Sequence, residues 1–314
     1  MSREQPTKHQ HRVLSIKEEH TYIFSVCCLV TRWKDYEAMR SAFELQGFNT
    51  SNSEFLVCDN SSGNNFDAYE AIRKFLKDAR GRYIVIVHQD AYPLEQSSKL
   101  MRQLVELEKI DPKWGVVGNA GVNRRMWLRL VGALQMPAGA EISMDSPSAK
   151  VDAVDENVLI VRNGSGVTVS SDLRGFHFYG FDICSVAARL GMSSYVIDYR
   201  WYHGSYGTIE SDFFSAKGAL QAKLKEYFSI TDSPTTCSYL NWSRSPFRKA
   251  LVDARSFCQV ALSKRHKEAR RYTLKEGLKT PFFVPALLGL ILFYGPRAIF
   301  RRIQRALKAR NLSG

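Results

Sequence analysis

The stretch "GRYIVIVHQDAYP", Gly81 to Pro93, decides the fold. Tyr83 to Val87 is an uninterrupted apolar, largely β-branched run, the pattern of a strand buried on both faces. It stops at His88-Gln89-Asp90, and Pro93 closes the segment. An imidazole and a carboxylate are thereby delivered to the carboxyl end of a core strand, where open α/β sheets bind their ligands. The alternative reading is a plain polar strand end entering a turn.

On the N-terminal side, "YIFSVCCLV" (Tyr22 to Val30) reads as a first buried strand, followed by a helical pattern through "DYEAMRSAFELQG" that stops at Gly47. "EFLVCDN" is a second strand ending in Asp59-Asn60 and a Ser/Gly/Asn loop, and "FDAYEAIRKFLKDARG" is a helix stopped by Gly81. The order β-α-β-α-β predicts an α/β fold with a mostly parallel sheet and helices on its faces. On the C-terminal side, "LEQSSKLMRQLVELEKI" is helical and "WGVVGNAGV" is a short strand with a glycine turn. "MPAGAEISMDSPSAK" reads as an exposed loop. "VDAVDENVLIVRN" is a strand entered through Asp155 and Glu156, and "GFHFYGFDICSVAARLG" is an aromatic loop running into a helix. "SSYVIDYRWYHGSYGT" is a last strand ending at His203. The alternation weakens in this half, so the sheet is expected to become mixed.

The 314 residues are 45% hydrophobic, enough for a sizeable core. Net charge is +13, and it is unevenly placed: from Arg244 onward lie 17 of the 44 Lys/Arg but only 3 of the 31 Asp/Glu. Six cysteines without a CxxC spacing indicate neither a zinc ribbon nor a redox motif and are read as reduced thiols. The N-terminal arm "MSREQPTKHQHRVLSIKEEH" lacks the apolar centre of a signal peptide, so the expectation is a cytoplasmic protein.

The order of these motifs resembles the inverting, nucleotide-sugar-dependent glycosyltransferases of the GT-A fold, in the family-2-like branch that carries HQD where relatives carry Asp-x-Asp. The resemblance runs from Tyr22 to Thr208. It implies a nucleotide-sugar donor held by Asp59 and Asn60 after the second strand and by His88, Gln89 and Asp90 after the third. Asp90 and His203 are the implied ligands of Mn2+ or Mg2+. Such a cation neutralises charge on the diphosphate as the glycosidic bond breaks, and it takes much of its coordination from phosphate and water. The other readings are a capping Asp, a surface His and, for Asp59, an Asx-turn that "DNSSG" also favours. Inverting transfer also needs a general base. Relatives place it in Glu-Asp-x-Asp at a helix head, where "YGFDIC" has Tyr179 and Gly180 and keeps only Asp182. Asp182 is a candidate base or a helix-start carboxylate, with Asp155 and Glu156 as the other acids in the region. His177 is read as a packed aromatic-loop residue or one that orients a neighbour.

Thr280 to Pro296, "TPFFVPALLGLILFYGP", is an uncharged run between basic flanks. It is at the lower length limit for a membrane span, and its prolines shorten the usable helix. A shallow or re-entrant membrane-associated segment is expected on the cytoplasmic face, a spanning or buried helix being the alternatives. The chain then divides into a polar arm (1–20), a catalytic domain (21–235) and a basic helical region (236–314). The expected partners are a nucleotide-sugar donor, a polysaccharide or lipid-linked glycan acceptor, and a membrane surface. A nucleic-acid partner is not expected, since aromatic residues are sparse in the basic tail and an apolar run interrupts its charge. A catalytically inactive GT-A-like scaffold and a basic nucleic-acid-binding protein are the competing functions.

Overall fold

The computed structural model describes residues 20–124, 130–205, 211–227, 232–243, 245–261, 274–275 and 277–292. The N-terminal arm lies outside them except for its last residue, as do parts of the basic flanks and the end of the apolar run. In chain order the elements are β1 (Tyr22–Val30), α1 (Trp33–Leu45), β2 (Ser53–Asp59), α2 (Ala68–Asp78), β3 (Gly81–Val87), β4 (Ala91–Pro93), α3 (Ser97–Ile110) and β5 (Trp114–Gly118). Then come β6 (Ala120–Val122), β7 (Leu130–Gly132), β8 (Leu134–Gln135), β9 (Glu141–Ile142), β10 (Ser148–Val151), β11 (Ala153–Val154), β12 (Val158–Arg162) and α4 (Tyr179–Arg189). The series closes with β13 (Ser193–Ile197), β14 (Trp201–His203), α5 (Ser211–Tyr227), β15 (Asp232–Pro234), β16 (Tyr239–Asn241) and α6 (Pro246–Ala261).

The architecture is mixed α/β around a seven-stranded sheet in the order β10-β13-β5-β12-β3-β1-β2. β1 pairs in parallel with both β2 and β3, as the alternating first half of the sequence predicts. β12 runs antiparallel between β3 and β5, and β10 runs antiparallel at the edge, so the second half is mixed. The apolar run of β3 is explained by its two buried faces. Ile84 and Ile86 enter one core with α2 and α4, while Tyr83, Val85 and Val87 enter the other with α1 and α3. α2 begins at a capping box: the Asp67 side chain accepts from Glu70 N at 2.9 Å and Glu70 reaches back to Asp67 N. Its Tyr69, Ile72 and Phe75 stripe is buried on the sheet.

Two sequence expectations change in detail. The loop after Met136 contains the short strands β9 and β10, which are too brief to leave a periodic signal and gain their pairing from neighbours. The last strand is two strands: Asp198 to Arg200 break it, so β13 stays in the central sheet while β14 joins β4 and β8 in a four-stranded sheet. That break carries His203 out of the main sheet. In the C-terminal region, residues 283–292 form a helix whose Phe283 and Leu290 pack on Ala254 of α6. Among the described residues no helix is long and apolar enough to cross a membrane.

Candidate active site

β1 has β2 on one side and β3 on the other, so the direction of chain progression reverses there. The crevice at the carboxyl ends of β1 and β3 is the topological switch point of the sheet. A cavity of about 340 Å3 opens there, lined among others by Thr31, Arg32, His88, Gln89, Asp90 and Tyr179.

Local backbone geometry assembles the polar end of this cavity. Ala91 N donates to His88 O at 3.0 Å, a tight turn that re-enters as β4. β4 pairs antiparallel with β14, setting His203 opposite Ala91, and Gly204 N donates to Asp90 O at 2.9 Å. Ligand-type atoms of His88, Asp90 and His203 consequently lie within 4.8 Å of one another. His203 Nε2 is 3.5 Å from Asp90 Oδ1. Burial favours the neutral acid at Asp90, but hydrogen bonds and charge from His203, with Ser205 and His88, outweigh it and hold the carboxyl below the usual range. Burial first, and His203 second, push His88 down to about 4, so its ring is neutral at pH 7.

The surroundings also orient both rings. The Tyr179 hydroxyl donates to Glu156 O at 3.0 Å, so at 2.7 Å from His88 Nε2 it acts as acceptor. His88 therefore carries its proton on Nε2 and keeps Nδ1 as a lone pair. Asn157 is buried and touches two members of the cluster: its carbonyl accepts from His88 N at 3.0 Å, and its amide meets His203 Nδ1 at 3.2 Å. Its Oδ1 has no partner. With the amide turned end for end, Oδ1 would take an Nδ1 proton from His203 in a hydrogen bond and free Nε2 toward Asp90. Two imidazoles, that of His88 neutral, and an ionised carboxylate form a donor set that fits a divalent cation, and its nitrogens suit Mn2+ at least as well as Mg2+.

The other sequence candidates are distributed as follows. Gln89 latches β3 to the end of β1: its Oε1 accepts from Thr31 N and Arg32 N, both at 3.0 Å. Asn60 is buried and closes the 60–66 loop through two hydrogen bonds with the Phe66 backbone. Asp59 is exposed at the end of β2, and Ser61 N donates to its Oδ1 at 2.8 Å. Hydrogen bonds from Ser61 hold its carboxyl below the ordinary range. His177 faces Asp212 at 3.3 Å and packs edge-on against Phe213.

Of the three acids proposed from sequence, Asp182 is 2% exposed, and both its oxygens are taken by Ser170, from N at 2.7 Å and Oγ at 2.6 Å. Burial raises its carboxyl. Asp155 and Glu156 are half-buried and directly precede Asn157, the residue that touches His203. Burial raises Asp155 against hydrogen bonds from Glu156 N and Asn157 N and the pull of His203. The backbone N–H groups of Phe178, Tyr179 and Gly180 at the head of α4 favour the ionised form of Glu156. Phe178 has φ 66° there, a left-handed conformation that a side chain of its size enters only at a cost of about 1–2 kcal/mol. Burial, reinforced by Asp155, nevertheless pushes Glu156 up to about 8.

Gly180 explains how Glu156 fits. A Cβ at that position would stand 2.6 Å from Val154 O and 3.1 Å from Glu156 Cγ. The helix-head position that carries no acid here is packed by the acid of the neighbouring segment. Gly180→Ala is accordingly expected to cost about 1–3 kcal/mol in stability through overpacking and to displace Glu156, read as a lowered Tm.

Sequence reasoning missed Tyr179 as a partner of His88, because within "FHFYGF" it looks like another core aromatic. It missed Asn157 too, although that residue directly follows the acid pair it singled out.

No family model matches the chain. It is 31% identical over 217 residues to the "ATP synthase subunits region ORF 6" protein of Fuscovulum blasticum, across 68% of this chain and 87% of that one. Among solved structures it is similar to S. aureus TarS in complex with UDP-GlcNAc (12% identity, 87% of each chain, TM-score 0.47). It is also similar to the mannosyltransferase PcManGT from Pyrobaculum calidifontis in complex with GDP-Man and Mn2+ (12% identity, 94% of this chain and 84% of that one, TM-score 0.41). With TM-scores below 0.5, activity has to be argued from the site.

Proposed function

The chain belongs to the family of the Fuscovulum blasticum ORF 6 protein, and for its activity we propose a GT-A-type glycosyltransferase that moves a sugar from a nucleoside diphosphate to an acceptor hydroxyl. The observation that carries this reading is the convergence of His88, Asp90 and His203 on one point of a switch-point crevice. Two imidazoles and an ionised carboxylate at the mouth of a cavity suit a cation shared with a diphosphate. His88 Nδ1, an Asp90 oxygen and His203 Nε2 are the atoms that would hold Mn2+ or Mg2+, which when bound supplies charge neutralisation for the departing diphosphate.

The remaining residues fall into roles on this reading. Asp59, Asn60 and Gln89 shape the donor side: Asp59 offers an exposed carboxylate, and Asn60 and Gln89 hold the loops around the crevice. For inverting transfer, the acceptor oxygen bonds to the anomeric carbon opposite the bond to the diphosphate, which breaks with its electron pair. The hydroxyl proton passes to a carboxylate. We assign that carboxylate to Glu156, with Asp155 beside it raising its basicity and Asp182 serving the packing of α4 against Ser170. Acceptor classes consistent with this reading are a polysaccharide and a lipid-linked glycan.

The test is thermal shift and calorimetry with UDP and GDP, with and without Mn2+, followed by release of nucleoside diphosphate from the corresponding sugar donors. Cation-dependent binding with donor turnover is the expected result. Cation-dependent binding without turnover on any donor would instead identify an inactive scaffold, and absence of binding would end the proposal. The ring-orienting contacts give a further expectation. Tyr179→Phe and Asn157→Leu should each weaken Mn2+ affinity about 10–100-fold, as loss of outer-shell partners does, while leaving the fold intact. Titration followed by Mn2+ electron paramagnetic resonance reads this directly.

A further inference from the structure

The helix at residues 283–292 is apolar on two opposite faces. Phe283 and Leu290, with Ala286 and Leu287 partly covered, pack against Leu251, Ala254 and Phe257 of α6. On the other side Val284, Leu288, Ile291 and Leu292 are 49%, 55%, 51% and 78% exposed. Their spacing of four, three and one residues makes a continuous outward stripe. Leu278 and Phe282, 59% and 58% exposed, extend the apolar surface at the N-terminal end. From Thr280 through Leu292 there is no charged residue. A helix resting on a domain surface normally turns a polar face to water, so among the described residues this stripe lacks a partner.

Its outward direction is fixed by packing. Thr280 Oγ1 donates to Asp253 Oδ2 of α6 at 2.8 Å. The Phe283 ring lies over Gly277, where a Cβ would come within 2.3 Å of it. Rolling the helix to hide the stripe would expose Phe283 and break both contacts.

We propose that this stripe is a docking face for an anionic lipid surface, on which the helix lies in the plane of the interface. Two observations select lipid over other occupants. First, the residues from Arg244 to the end hold 17 Lys/Arg against 3 Asp/Glu, and the segment after the helix, residues 297–310, contains six Lys/Arg and no acid. Apolar side chains between cationic flanks match both layers of an anionic bilayer interface. A second copy of the chain would bring two such positive regions together, and a nucleic acid would satisfy the charge but leave the stripe in water. Second, the uncharged run from Thr280 to Pro296 carries Pro281, Pro285 and Pro296, which leave it short of the about 20 uninterrupted apolar residues that a crossing helix needs, so it suits a segment lying on a bilayer. This inference is independent of the catalytic reading.

The experiment uses the full chain and sedimentation with two kinds of vesicle, phosphatidylcholine alone and phosphatidylcholine with 30% phosphatidylglycerol. Binding is expected only to the anionic vesicles, and it should weaken as salt rises. Combining Val284→Ser, Leu288→Ser, Ile291→Ser and Leu292→Ser should reduce partitioning at least tenfold. All four side chains are exposed, so Tm should hold. Leu288→Trp should show a blue-shifted emission on anionic vesicles, reporting entry of that position into the acyl boundary. Undiminished vesicle binding by the serine variant would overturn the proposal. So would absence of vesicle binding, whether or not the chain self-associates through the same four residues.

Discussion

Asp90→Asn is expected to abolish cation-dependent binding of nucleoside diphosphate and to lower donor turnover by about 10³-fold. Asp90 contributes the one carboxylate of the cluster, and its ionised form is held by His203, Ser205 and His88 against the cost of burial. An amide keeps the shape but removes the negative charge that Asp90 would bring to a divalent cation. A cation supplies several kcal/mol of charge stabilisation to a departing diphosphate, and each 1.4 kcal/mol is a factor of ten. Calorimetry with UDP or GDP and Mn2+ checks binding, and a turnover assay checks the rate. His203→Ala should follow Asp90→Asn in both measurements, because the two residues are joined through the β4–β14 pairing and face each other at 3.5 Å. Diphosphate affinity unchanged by chelator in the unmodified protein would remove the cation from the site.

The sequence made His88 and Asp90 legible because they end a strand whose two apolar faces leave little doubt about its burial. A run such as "YIVIV" has only one place to go in a layered α/β domain, and the polar residues after it must emerge at the sheet's carboxyl edge. From local pattern His203 was legible only as the end of an apolar segment, and its role as a ligand beside Asp90 came from the family resemblance. Its meeting with Asp90 depends on the break at Asp198–Arg200 and on pairing between β14 and the three-residue β4. Pairings that short are decided by tertiary contacts and leave no periodic trace. The acids were harder still. Asp182 stands at the head of a helix in the expected register, yet its side chain turns to Ser170. Glu156 reaches the same helix head from another segment, with its Cγ packed against Gly180. A sequence gives the position of a carboxylate along the chain, whereas its partners are set by a crossing of chain segments that no local pattern records.

That exchange of acids leads to an expected difference between two variants. Glu156→Gln should lower turnover by about 10²–10⁴-fold while donor binding and the cation site persist, because the amide keeps the size of the side chain but cannot take a proton. In the unmodified protein, turnover should rise with pH through about 8 as Glu156 ionises, and the variant should lose that limb. Stability should move the opposite way. Glu156 is raised in the folded state above its unfolded value, so its contribution is full below the ordinary carboxylate range and is lost as pH climbs toward 8. The Gln variant lacks this loss, so the unmodified protein should fall in Tm relative to the variant between about pH 5 and 8. Asp182→Asn should show the reverse pattern. An amide cannot accept from both Ser170 N and Ser170 Oγ with two oxygens, so about 1–3 kcal/mol of stability is lost from a buried unsatisfied group. Turnover per folded molecule should be nearly intact. If instead Asp182→Asn lost turnover at full stability and Glu156→Gln kept it, the base would lie with Asp182 and the hydrogen bonds to Ser170 would have to open during catalysis.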